Sequence, residues 1–145
     1  MFFTAYHEAG HAIMAIAWGW PLQLVSIRPQ QLGPWHVRVG QMRPSYDHNM
    51  LGRLNQPLAF RDPIREAADI LVAGHVAGRK LRPRFDDPGT GTDRAMLAAI
   101  CRNAPGYGSA SEIEWRAAEA RVTAIFDIPE IAERLDGFAR RLVEE

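Results

Sequence analysis

The chain has a single cysteine, Cys101, in 145 residues, so it can form no internal disulfide and fits a reducing compartment. It has one lysine, Lys80, and arginine supplies the rest of its basic charge. Seventeen basic residues balance seventeen acidic ones for a formal net charge of zero, without the positive excess that attracts nucleic acid or an anionic membrane surface. No apolar run reaches the ~20 residues that a membrane span needs. The most apolar stretch, residues 9 to 20, is far shorter, and His7, Glu8 and His11 interrupt its beginning. No basic region precedes it, so it does not read as a signal peptide. A cytoplasmic protein is the expectation. There is no G-x-x-x-x-G-K-[ST] phosphate loop, and the only lysine lies in GRKLRP. Repeats, linkers and low-complexity segments are also missing, so residues 1–145 read as a single domain.

What is present is an ordinary globular composition, 47% hydrophobic and 23% charged, enough for one core. Residues 2 to 19 are apolar nearly all round and read as a buried helix that Trp18, Gly19, Trp20 and Pro21 bring to an end. Residues 22 to 29 (LQLVSIRP) and 35 to 42 (WHVRVGQM) alternate as strands do, joined by a QQLGP loop. Residues 43 to 60 are irregular. Asp62 and Pro63 then supply an N-cap and a first helical residue for a helix to about Leu81. Residues 82 to 92 (RPRFDDPGTGT) read as a loop. A helix follows from about Asp93 to Arg102, capped by Thr90 or Thr92. Ser109 with Glu112 forms a capping box for the next, to about Phe126, and Pro129 starts a last helix. The expectation is an α+β, mostly helical domain with a small β-sheet near its N-terminus.

Within the first helix lies HEAGH, residues 7 to 11. Residues i and i+4 share a helix face, so His7 and His11 can offer imidazole nitrogens to one ion while Glu8 projects beside them. That places a carboxylate next to a metal-bound water, the arrangement of a zinc hydrolase. Gly10 carries a helix penalty of ~1 kcal/mol against alanine, which calls for close approach of another backbone or for room at the metal. Such sites take three protein ligands and leave a fourth position open. The third ligand could come from His36, His48, His75, Glu66, Asp69, Asp86, Asp87 or Asp93. Asp93 stands out because a Gly/Thr loop turns into a helix there, although the helix dipole alone favours an aspartate in a first turn.

These residues resemble a known family. TAYHEAGHAIMA is very similar to the peptidase domain of the FtsH family, the membrane-anchored AAA+ zinc metalloproteases (peptidase family M41). PLQLVSIRPQQLG resembles that family's Val-x-Ile-x-Pro strand and Leu-Gly turn, AADILVAGHVAGRKL its next helix, and GTGTDRAMLAAI its Thr-Gly-Ala-x-x-Asp segment. The resemblance spans nearly the whole chain, and only its first element is highly specific. It implies a zincin-type peptidase domain with a C-terminal helical bundle, zinc as cofactor, His7, His11 and Asp93 as its ligands, and Glu8 as the catalytic glutamate. Where the family has Arg-Ala-Ala-Glu, this chain has His75, Val76, Ala77 and Gly78, which makes His75 the second candidate for third ligand.

A metalloendopeptidase acting on unfolded or loosely folded polypeptides follows, with the substrate adding as a strand along WHVRVGQ. Because the phosphate loop is missing, the chain resembles the peptidase part alone, stand-alone or truncated. Its implied partners are a separate ATPase or further copies in a homo-oligomer, since family members assemble as hexamers. Two other readings stand beside it: a catalytically weak or inactive zinc-binding module acting in protein interaction, and a different zinc protease class that also uses an aspartate ligand.

Overall fold

The computed structural model describes residues 2–20, 22–26, 30–33, 36–38, 41–44, 62–84, 87–104 and 106–144, with backbone only for the segments between 22 and 44 and for Pro88. Among the described residues five helices make up the body: α1 (Phe2–Ala17), α2 (Pro63–Leu81), α3 (Pro88–Arg102), α4 (Ser111–Phe126) and α5 (Pro129–Glu144).

α1 ends where its glycine allows. Gly19 takes a positive φ of 77°, its N–H bonds Ile16 O at 2.9 Å, and the Trp20 N–H reaches back to Ala15 O at 2.8 Å. This is a Schellman termination, and a Cβ at Gly19 would oppose it. The turn also carries Trp20 into the core, where its indole donates to Glu66 Oε1 at 3.0 Å. α2 begins as the Asp-Pro pair predicts, with the Asp62 side chain accepting from Ile64 N and Arg65 N.

α2 is the central element and packs against α1, α3 and α4, while α5 covers the other side of α1. Its inner face is lined with small residues: Ala67, Ala68, Ala73 and Ala77 are all buried. Small side chains let α1 come close. A Cβ at Gly10 would collide with the carbonyl oxygen of Ala73 and stand 2.7 Å from Ala77 Cβ, so the helix penalty at Gly10 is the cost of this approach. Trp115, Phe126, Met14, Leu97, Leu135 and Val122 fill the remaining core.

The expected α+β class with an N-terminal sheet is corrected. The residues described with their side chains form five helices and no sheet, and the core they build is helix against helix. Among the described residues strand pairing occurs along the backbone between residues 22 and 44, as two separate antiparallel ladders. β1 (Leu22–Ser26) pairs with β4 (Gln41–Pro44), and β2 (Gln30–Gly33) pairs with β3 (His36–Arg38), nested in sequence between them. Within the two alternating segments the described backbone is extended at residues 22–26, 36–38 and 41–42. But strands of three to five residues with one partner each do not make the packed face that would define an α+β core. The loop expected at QQLGP is partly β2, and Trp35 and Val39 of the expected second strand lie outside the described residues, as do residues 45 to 61.

Two helix starts are also corrected. α3 begins at Pro88, with Asp87 as N-cap, rather than near Asp93 with a threonine cap. Asp87 followed by Pro88 repeats the Asp62–Pro63 signal, and the density of Gly and Thr around it masks a helix. Asp93 therefore lies in the second turn, and the first-turn dipole does not explain it. α4 begins at Ser111 after Ala110, with no side-chain cap. Glu112 faces Arg94 at 2.6 Å instead of closing a capping box with Ser109.

Candidate metal centre

α1 and α3 bring three side chains to one point. His7 Nε2 and His11 Nε2 are 3.0 Å apart, and each lies 3.2 Å from Asp93 Oδ2. All three residues are buried, and together they form a group that could hold a metal ion. Ligand atoms around a tetrahedral ion, at bond lengths of about 2.0–2.1 Å, stand about 3.3 Å apart, so the triangle has nearly the right size.

Hydrogen bonding fixes what these atoms present to each other. His11 Nδ1 lies 2.7 Å from the carbonyl oxygen of Ile70, which can only accept, so Nδ1 carries the proton. His7 Nδ1 lies 2.5 Å from Asp87 Oδ2 and donates to it. In the neutral imidazoles both Nε2 atoms then carry lone pairs, and they face one another and a carboxylate oxygen. Asp93 Oδ2 is buried and has no hydrogen-bond partner. The close approach of the two Nε2 atoms is therefore not a hydrogen bond between neutral rings. Three converging lone pairs repel unless a cation sits among them, either a metal ion or a proton.

The titration behaviour of the metal-free chain reflects this. Burial pushes His7 toward its neutral form, but the hydrogen bond to Asp87 and the adjacent carboxylate charges of Asp93 and Asp87 outweigh burial and raise it to about 10. Burial pushes Asp93 up, and the two imidazoles more than reverse this, holding it at about 2. Asp87 is likewise lowered: His7 and the Gly89 N–H overcome its burial. Glu8 is raised, by burial first and then by Asp93 and Asp87, against the opposing pull of His11 and His7. A buried carboxylate with elevated proton affinity beside a cation-binding cluster suits a general base.

Glycines make the room. A Cβ at Gly74 would stand 2.5 Å from His11 Nε2 and 2.8 Å from His7 Nε2, and one at Gly89 would stand 3.0 Å from His7 Cε1. Tyr6, next to His7, bonds Asp136 of α5 through its hydroxyl, and this contact helps pin the motif-bearing end of α1.

The other candidate ligands are engaged elsewhere. His75 Nδ1 lies 3.1 Å from Thr90 Oγ1, and its Nε2 lies 3.4 Å from Glu119. Burial, helped by Arg79 and Arg94, lowers its proton affinity against the pull of Glu119. It is not part of the cluster. Glu66 accepts from Trp20, and Asp69 from Trp18 and Arg121. Asp87 is not in the cluster either, and holds His7 from behind. His48, Asp86 and the side chain of His36 lie outside the described residues. The parts that sequence reasoning missed are Asp87 as partner of His7, Ile70 O as partner of His11, and Gly74 as the space for both rings. Of these only Asp87 left a signal, its Asp-Pro pair.

Comparison with known protein families finds no family model that matches the chain, and comparison with curated proteins finds no match. No helix among the described residues is long and apolar enough to cross a membrane.

Proposed function

We propose that this chain is a zinc-dependent metalloendopeptidase domain of FtsH-like type, in which His7, His11 and Asp93 hold the metal and Glu8 acts as general base. The observation that carries the reading is the triangle of Nε2, Nε2 and Oδ2 atoms at 3.0–3.2 Å, with both Nδ1 protons already committed elsewhere. Two imidazoles and one carboxylate form a donor set suited to zinc, with one position left for water or substrate. The resemblance of the HEAGH helix and of the segment ahead of Asp93 to the FtsH peptidase points the same way.

Bound zinc supplies Lewis acidity that polarises a scissile carbonyl and acidifies water. Glu8 accepts the proton of the attacking water and returns it to the leaving amine. His7 and His11 stay neutral, their Nδ1 protons held by Asp87 and Ile70. Substrates are unfolded or loosely folded polypeptides in extended form. Among the described residues each β strand pairs with one other, and an edge along WHVRVGQ is where a peptide would pair. A separate ATPase would supply substrates that need unfolding, and further copies of the chain in a homo-oligomer are the other candidate partner.

The burial of Glu8 and all three ligands favours a second reading, in which the metal is structural and the chain is an inactive zinc-binding module for protein interaction. Cleavage of casein or an unstructured peptide separates the two. The peptidase reading expects zinc-dependent cleavage that a chelator stops and that Glu8→Gln loses while zinc stays bound. Full activity in Glu8→Gln, or zinc binding without any cleavage by the wild type, overturns it.

A further inference from the structure

We infer that Asp87 is a positioning residue for the metal centre, joining the N-terminus of α3 to the His7 ring and fixing the tautomer that leaves His7 Nε2 free to bind. The inference rests on the metal-binding part of the proposed function and adds a residue to it.

Three bonds meet at Asp87. Its Oδ1 accepts from Gly89 N at 2.9 Å, its backbone oxygen accepts from Thr90 N at 3.1 Å, and its Oδ2 takes the Nδ1 proton of His7 at 2.5 Å. One carboxylate therefore caps the helix that carries Asp93 and orients the ring that faces Asp93. The packing admits it there. A Cβ at Gly78 would already collide with the Phe3 ring at 2.9 Å and would come to 3.7 Å from Asp87 Oδ2, and Gly89 lies against the His7 ring.

The chemistry follows from imidazole's two nitrogens. With Nδ1 held by a carboxylate, the proton stays on Nδ1 and Nε2 keeps its lone pair; without that acceptor the proton can move to Nε2 and remove a ligand atom. Among the described residues Asp87 is the one acceptor bonded to His7 Nδ1. The corresponding partner of His11 is the backbone oxygen of Ile70, which substitution of a side chain cannot remove. Asp87 is thus the point at which ligand orientation can be tested without touching a ligand.

Two substitutions separate its jobs. Asp87→Ser keeps a good helix cap but cannot reach His7. Asp87→Asn keeps the cap and an acceptor oxygen but drops the charge. The readouts are the zinc dissociation constant of the full chain, the visible absorption spectrum with Co2+ in place of zinc, and the melting temperature of the metal-free protein. Asp87→Ser is expected to weaken zinc binding 10- to 100-fold and to alter the Co2+ spectrum, with Asp87→Asn falling between it and the wild type. A zinc affinity within twofold of wild type and an unchanged Co2+ spectrum in Asp87→Ser would overturn the inference, because they leave Asp87 a helix cap only. If Asp87→Ser does not fold, Asp87→Asn decides alone: wild-type zinc affinity and Co2+ spectrum in Asp87→Asn would overturn the inference, and a weaker affinity with an altered spectrum would support it. Failure of the wild type to take up zinc overturns the metal-site reading itself and this inference with it, so the two failures are distinguishable.

Discussion

Gly74 of α2 faces His11 of α1 so closely that a Cβ there would stand 2.5 Å from the imidazole Nε2. The contact joins helix packing to the candidate metal centre, because the ring it would push aside is already held from behind by the Ile70 carbonyl oxygen at 2.7 Å. Gly74→Ala should therefore lower zinc affinity by at least tenfold and destabilise the chain by about 1–3 kcal/mol through overpacking. Equilibrium urea unfolding and zinc titration check the two effects. A variant that binds zinc as the wild type does would show that α2 is not the wall of this site.

The pH dependence of the metal-free chain follows from His7 and Asp93. The folded-state value of His7 is raised from 6.5 to about 10, so its contribution to stability is complete below pH 6.5 and is lost as pH rises through 10. Asp93 is lowered from 3.8 to about 2, so its contribution is present above pH 3.8 and is lost as pH falls through 2. Stability from this cluster should thus be greatest between about pH 4 and 6.5 and decline on either side, as thermal melts with a chelator present can show. Zinc must displace the proton from His7, so binding at pH 7 should release roughly one proton. Calorimetry in buffers of different ionisation enthalpy measures it directly, and heats that do not depend on the buffer would contradict the assignment.

Asp69 and Arg121 form an unequal pair. Asp69 is 2% exposed while the Arg121 side chain is 26% exposed, and Asp69 accepts both the Arg121 guanidinium at 2.8 Å and the Trp18 indole at 3.2 Å. Removing the arginine strands a buried carboxylate, whereas replacing the acid leaves an arginine that can turn toward water. Arg121→Ala should cost about 3 kcal/mol and Asp69→Asn about half of that, with zinc affinity unchanged in both. Equal losses in denaturant unfolding would argue that the charge on Asp69 is not what the fold depends on.

How much of this the sequence revealed depended on whether the signal was local. His7, Glu8 and His11 were legible because one helix turn alone brings them together. Asp62 and Pro63 announced α2 for the same reason. Asp93 could be singled out, yet the residues themselves did not separate it from seven other candidates, because its approach to His7 depends on how α2 and α3 pack. The start of α3 was written in Asp87 and Pro88 and hidden by the neighbouring glycines and threonines. Alternation in residues 22 to 29 and 35 to 42 points to strands, but whether strands build a packed sheet is a tertiary fact. Gly10 stands out in the sequence by its helix penalty, and the cause, the backbone of Ala73, is visible only with both helices in place.

Zinc content per chain, measured by elemental analysis on the dialysed wild type and on Asp93→Ala, tests the central claim most directly. The account predicts one zinc per wild-type chain and a loss of most of it in Asp93→Ala, since two imidazoles alone hold the ion weakly. A wild-type chain that retains no zinc, or an Asp93→Ala chain that retains all of it, would contradict the account.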